Sequence, residues 1–292
     1  MGSIKEGFLK VSDGNIWYRK VTSSGEKTPI LILHGGPGFS SLPLHRLDKL
    51  VVNRDVIYYD QLGAGFSKGP TDPALWNLDR YVEELSQVRK ELGLEKIHIL
   101  GHSWGTTLLA SYLLTKPVGV KSAIFSSPCL SAPLWAEDAK RLLEQLPVDV
   151  QEVITRCEAE GTTDTEEYKT AMKEFSKRFI CRVEVSPEER AKRAELGNLE
   201  VYNTMWGPSE FCVTGNLKSF DCTPRLHEIE TSALFLCGRY DEATPESTSY
   251  FSSLVPNAKL HILEESAHSG YREQPEEYIQ VVNEFLSGVE GK

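Results

Sequence analysis

The chain has 292 residues, of which 40% are hydrophobic and 25% charged, and a net charge of −10. That length holds one large α/β domain, or a domain carrying an insertion, with enough apolar residues for a proper core. So acidic a balance argues against a nucleic-acid partner, which needs a basic surface, and no run of about 18 apolar residues is present to span a membrane.

The opening residues, Met1 to Gly14, contain no apolar signal core, so a cytoplasmic protein is expected. Two short strand-like segments follow, around Gly7–Val11 and Asn15–Lys20, separated by the turn signal Asp13-Gly14. A buried-strand run, Ile30–Leu33, ends abruptly in His34-Gly-Gly-Pro-Gly38, and a second, Asp55–Tyr59, ends in Asp60-Gln-Leu-Gly-Ala-Gly65. Leu78, Tyr81, Val82, Leu85, Val88 and Leu92 recur at helical spacing, which predicts an amphipathic helix closed by Gly93. Lys96–Leu100 is the next strand, followed by Gly101-His-Ser-Trp-Gly105 and a helix to about Thr115; Val120–Ser126 is another strand. Such alternation predicts a mostly parallel sheet covered on both faces.

From about Ala132 to Phe220 helical signals replace strand signals: Trp135–Leu146, Val148–Glu160, Glu166–Arg182, and a stretch opened by Ser186-Pro-Glu-Glu189. In that tetrad Ser suits the cap, Pro the first turn, and Glu a reach back to the cap. The sheet resumes at Ser232–Cys237 and Lys259–Leu263, and a last helix runs from about Pro275 to Leu286. The expected architecture is therefore an α/β core (1–131 and 221–292) interrupted by a helical cap (132–220).

Gly101-His-Ser-Trp-Gly105 fits G-x-S-x-G, the nucleophile elbow, in its confirming context of an apolar strand before and an apolar helix after. Glycines two residues either side let the chain turn sharply with Ser103 in a strained conformation. A serine hydroxyl needs a base to take its proton, and the base needs an acid to hold its tautomer. The fold orders these as Ser, acid, His along the chain. His34, His45, His98 and His102 precede or abut the serine, leaving His227, His261 and His268. His261 lies within a strand and His227 before one, whereas His268 sits in the loop just after a strand, where sheet enzymes place functional groups. Asp241, after the Ser232–Cys237 strand, is the expected acid, with Glu242 a poor second. For the oxyanion, the Trp104 N–H supplies one donor and Gly36, in the glycine loop, the other. Asp60 reads as structural.

The six cysteines form no CxxC pair and none stands at metal-ligand spacing with a histidine, so reduced, mostly buried thiols are expected, with no metal or other cofactor.

With these blocks in view, the chain resembles the proline iminopeptidase family of α/β hydrolases along essentially its whole length. His34–Gly38, Tyr59–Ser67, the elbow and Gly238-Arg-Tyr-Asp-Glu-Ala-Thr-Pro245 carry the likeness, and Trp206-Gly-Pro-Ser-Glu-Phe211 is its most specific block. The resemblance implies that Glu210, in that last block, and Glu242 hold the substrate's free amino terminus. It also implies that His102 and Trp104, where the family varies, shape which first residue fits. A carboxylate pair suits an exopeptidase, since it detects an ammonium through charge-assisted hydrogen bonds. The expected activity is a serine aminopeptidase releasing an N-terminal residue, preferably proline, from small peptides through an acyl-enzyme. An amino-acid amidase or an esterase on the same scaffold is the alternative; the intact Ser103, Asp241, His268 set argues against a non-catalytic binding protein of this fold.

Overall fold

The computed structural model describes residues 2–67, 69 and 72–291. Eight strands form one sheet: β1 (Ile4–Val11), β2 (Gly14–Val21), β3 (Lys27–Leu33), β4 (Arg54–Tyr59), β5 (Ile97–His102), β6 (Val120–Ser126), β7 (Ser232–Gly238) and β8 (Ala258–Leu263). Their order is β1-β2-β4-β3-β5-β6-β7-β8. The β1–β2 hairpin and the β2–β4 pairing are antiparallel, and every pairing from β4 across to β8 is parallel.

The helices are α1 (Leu78–Glu91), α2 (Trp104–Leu113), α3 (Ala132–Leu143), α4 (Val148–Glu160), α5 (Glu166–Phe175), α6 (Pro187–Leu196), α7 (Leu199–Met205), α8 (Pro245–Leu254), α9 (Gly270–Glu273) and α10 (Pro275–Glu290). Strand alternation sends Leu31, Leu33, Ile57 and Tyr59 to one face, where Leu85 of α1 and Leu108 of α2 pack. Ile30, Ile32, Val56 and Tyr58 go to the other face, against Tyr278, Val282 and Leu286 of α10. With both faces covered, β3 and β4 carry apolar residues on both sides, which is why they read as unbroken runs.

Residues 132–220 hold helices α3 to α7 and no strand. The chain leaves and re-enters the sheet region at one point: Ala132 N–H donates to Phe220 C=O at 2.8 Å, and Cys222 N–H to Leu130 C=O at 3.1 Å. Leu142, Ile154, Cys157, Tyr168 and Phe175 build a separate apolar cluster within the segment.

Two local expectations need correction. The helix expected over Glu166–Arg182 ends as α5 at Phe175 and continues as a single π-turn, Ser176–Ile180. The wider turn frees the carbonyls of Phe179 and Ile180, which accept the Glu242, His268 and Ser269 N–H groups at 3.2, 3.2 and 2.9 Å. Ser186 does cap α6, accepting the Glu189 N–H at 3.2 Å. The Glu189 carboxylate, however, turns away to Arg272 and Arg46 instead of back to the cap, because two cations offer it more than one N–H. Sequence reading also passed over α7, α8 and the 3₁₀ turns of Leu42–Val52. The start of α8 was readable, with Pro245 in the first turn and Thr244 Oγ1 accepting the Ser247 N–H at 3.2 Å.

Candidate active site

The C-terminal ends of the parallel strands deliver Gly36, Ser103, Glu242 and His268 to one cavity of about 390 Å³, which Glu210 of the helical segment also lines. Ser103 sits between β5 and α2 with φ 55° and ψ −125°, a conformation that a side chain rarely adopts. Its flanking glycines are sterically required: a Cβ on Gly101 would collide with the Gly105 carbonyl, and one on Gly105 with the Leu33 carbonyl of β3. The helix start leaves the Trp104 N–H with no acceptor among the described residues. The Gly36 N–H donates to none either, and Gly36 (φ 132°) lines the cavity beside Ser103.

Asp241 follows β7 and is buried. Its Oδ1 meets His268 Nδ1 at 2.7 Å and also accepts the Ala243 N–H at 2.8 Å, while Oδ2 accepts the Gly238 N–H at 3.3 Å. The acid is thus held from both oxygens and its bond to Nδ1 leaves Nε2 facing the cavity. No hydrogen bond joins Ser103 Oγ to His268 Nε2; Nε2 lies 3.8 Å from Glu242 Oε1. Such a contact commonly tightens only when substrate is bound.

Glu242 is buried, and its Oε2 has no hydrogen-bond partner among the described residues. Glu210, from the loop after α7, faces the same cavity and accepts the Tyr202 hydroxyl at 2.6 Å. Burial raises Glu210 above the usual carboxylate range against the hydrogen bond from Tyr202. Burial, and then Glu210, push Glu242 well above that range. His268 answers to the same charges: burial works against its cation, but Asp241 and Glu242 together raise it to about 9.

Neighbours that sequence reading missed hold this set in place. Phe179 C=O accepts the backbone N–H of both Glu242 and His268, so the helical segment ties the acid and base loops together. Ser127 Oγ donates to His268 C=O at 3.2 Å, and Glu273 accepts the Ala267 N–H at 2.6 Å as well as the Arg182 N–H. None of these has a local motif that would have flagged it. His102, beside the serine, packs its ring 4.9 Å from that of His268 and 5.1 Å from that of Tyr271. Trp104 donates its indole N–H to Gln61 Oε1 at 2.7 Å, fixing one wall of a narrow recess completed by Thr107, Cys129, Trp135 and Trp206. Asp60 is consumed structurally, accepting from Ser41 and from the Phe66 N–H. His261 pairs with Glu277 at 2.9 Å on β8.

All six cysteines are free, and among the described residues no group of three His, Cys, Asp or Glu could hold a metal. No helix among the described residues is long and apolar enough to cross a membrane.

Comparison with known proteins gives the family of the chain. Residues 28–275 match the family model described as alpha/beta hydrolase fold. A proline iminopeptidase of Heyndrickxia coagulans is 56% identical over 285 residues, covering 97% of this chain and 99% of that one. The crystal structure of proline iminopeptidase from Mycobacterium smegmatis superposes with a TM-score of 0.90 at 32% identity, covering 98% of each chain. That of VinJ superposes with a TM-score of 0.93, also at 32% identity, covering 98% of this chain and 99% of VinJ.

Proposed function

The chain belongs to the α/β-hydrolase fold family and, within it, to the proline iminopeptidases, and on that premise we propose that it is a serine aminopeptidase releasing N-terminal proline from small peptides. Ser103 is the nucleophile, His268 the base, Asp241 its partner, and residues 132–220 the cap that closes over them. As Ser103 Oγ bonds to the scissile carbonyl carbon, His268 Nε2 takes its proton. The negative charge that develops on the carbonyl oxygen is met by the Gly36 and Trp104 N–H groups. Collapse breaks the C–N bond, and His268 returns the proton to the departing amine. Water, deprotonated by the same imidazole, then hydrolyses the prolyl ester on Ser103.

The observation that carries the reading is the pair Glu210 and Glu242, two protein-enclosed carboxylates beside the base, one of them with an unpartnered oxygen. A buried carboxylate without a partner is costly, and a substrate ammonium supplies both the charge and the donor. A prolyl amine carries two N–H donors when charged, one for each carboxylate. The bound ammonium also offsets the field that keeps His268 charged, so the base becomes neutral when an amine is in place.

Comparing prolyl aryl-amide with its N-acetyl form tests the reading. Acetylation removes the charge and both donors and leaves two carboxylates unpaired, a cost of roughly 3 kcal/mol or more, so kcat/KM should fall at least about 100-fold. Equal cleavage of the two would replace the aminopeptidase with an esterase-type enzyme.

A further inference from the structure

The cavity has a second charged feature that the triad and the carboxylate pair do not use. Arg193, on α6, lines it together with Phe39, Pro43, Leu44, Ile180 and Tyr271. It is absent from the narrow recess that Glu210 shares with Ser103 and Trp206, so it belongs to the side of the serine away from that recess. Among the described residues its guanidinium makes no ion pair and no hydrogen bond. The two acids nearest it on its own helix are already taken: Glu189, one turn back, binds Arg272 and Arg46, and Glu195 binds Lys192 at 2.9 Å. Its charge nonetheless reaches the site. His102 lies well below the usual histidine range through burial and the charges of His268 and Arg193, and Arg193 also opposes the upward push of burial on Tyr271.

We infer that Arg193 binds the free α-carboxylate of a short peptide's leaving portion, so that the enzyme reads both ends of its substrate: the amine at Glu210 and Glu242, the carboxylate at Arg193. The inference rests on the aminopeptidase reading above. Arginine is the side chain whose planar fork matches a carboxylate in bidentate fashion, and it is less strongly hydrated than lysine. The apolar residues around it lower the local dielectric and strengthen such a pair. A substrate carboxylate supplies the partner that this guanidinium lacks among the described residues. A volume of about 390 Å³ accommodates a small peptide.

The test measures kcat/KM for Pro-Gly and Pro-Gly-Gly against their C-terminal amides, with the parent enzyme, Arg193→Ala and Arg193→Lys. The parent should prefer at least one acid over its amide by roughly 10- to 100-fold, the range of a charge-assisted hydrogen-bonded pair. Arg193→Ala should collapse that ratio towards one, and Arg193→Lys should restore only part of it. A parent ratio near one, or an Arg193→Ala ratio equal to the parent's, overturns the inference. Because the readout is a ratio within each variant, a general loss of folded enzyme cancels. Failure of the aminopeptidase reading is seen separately, as cleavage of N-acetyl-prolyl aryl-amide, which has no C-terminal carboxylate.

Discussion

Replacing Glu242 by Gln removes a charge 3.8 Å from His268 Nε2 while keeping the side chain's shape. An anion at that distance stabilises the imidazolium, so its loss lowers the His268 pKa from about 9. Coulomb's law at 3.8 Å gives about 1 kcal/mol with water-like screening and about 4 kcal/mol at the screening typical of protein sites. At 1.36 kcal/mol per unit that spans roughly one to three units. The assay is the pH profile of kcat/KM for a small acetate ester, which lacks an amine and so reports the free enzyme. In the parent the base is only about 1% neutral at pH 7 when its pKa is about 9, and activity should climb to a plateau above that value. In Glu242→Gln the limb moves to lower pH, so ester hydrolysis at pH 7 rises about tenfold or more, while prolyl aryl-amide hydrolysis falls. An ester limb that stays in place, or moves up, would falsify the electrostatic account of this site.

Three further substitutions probe the remaining assignments. Ser103→Ala should reduce aryl-amide turnover on the order of 10⁴-fold or more with the fold intact by circular dichroism; retention of a few per cent would remove it from the mechanism. Asp241→Asn keeps the size but donates where His268 Nδ1 also donates, so turnover should collapse on amide and ester alike, unlike Glu242→Gln. Away from the site, Arg54 is buried and held by Glu290 at 2.9 Å; burial alone would raise Glu290, but Arg54 and then His98 bring it down to about 2. Because the folded value is depressed, this stability is present above the unfolded carboxylate range and is lost as pH falls from about 5 to 2. Glu290→Gln should therefore cost about 2 kcal/mol or more in urea unfolding at pH 7, with a smaller difference from the parent near pH 3.

Much of this was legible from residues alone, for local reasons. Ile30–Leu33 and Val120–Ser126 announce themselves as strands because a sheet covered on both faces needs unbroken apolar runs. Gly101 and Gly105 announce the elbow because the turn leaves no room for a Cβ, and the strand-end loops then narrow the candidate acid to Asp241 and the candidate base to His268. Where local reasoning failed, a distant partner had overruled it. The helix expected through Arg182 stops at Phe175 because Phe179 and Ile180 spend their carbonyls on the loops of Glu242 and His268. Glu189 leaves its own helix cap for Arg272, 83 positions away.

The division follows the range of the forces. Periodicity, turn sterics and chain order act over a few residues, and so the amino-acid sequence by itself determined the sheet, the elbow, the order of the proposed catalytic set and where the helical segment interrupts the core. The field at His268 comes from Asp241 on one strand end, Glu242 beside it and Glu210 on the helical segment, and only packing sets the 3.8 Å that makes the base answer to the amine site. Tertiary structure likewise decided that Glu189 is taken and that Arg193 has no partner among the described residues, because a charge's partner is whichever opposite charge the fold brings within reach, wherever it stands in the chain.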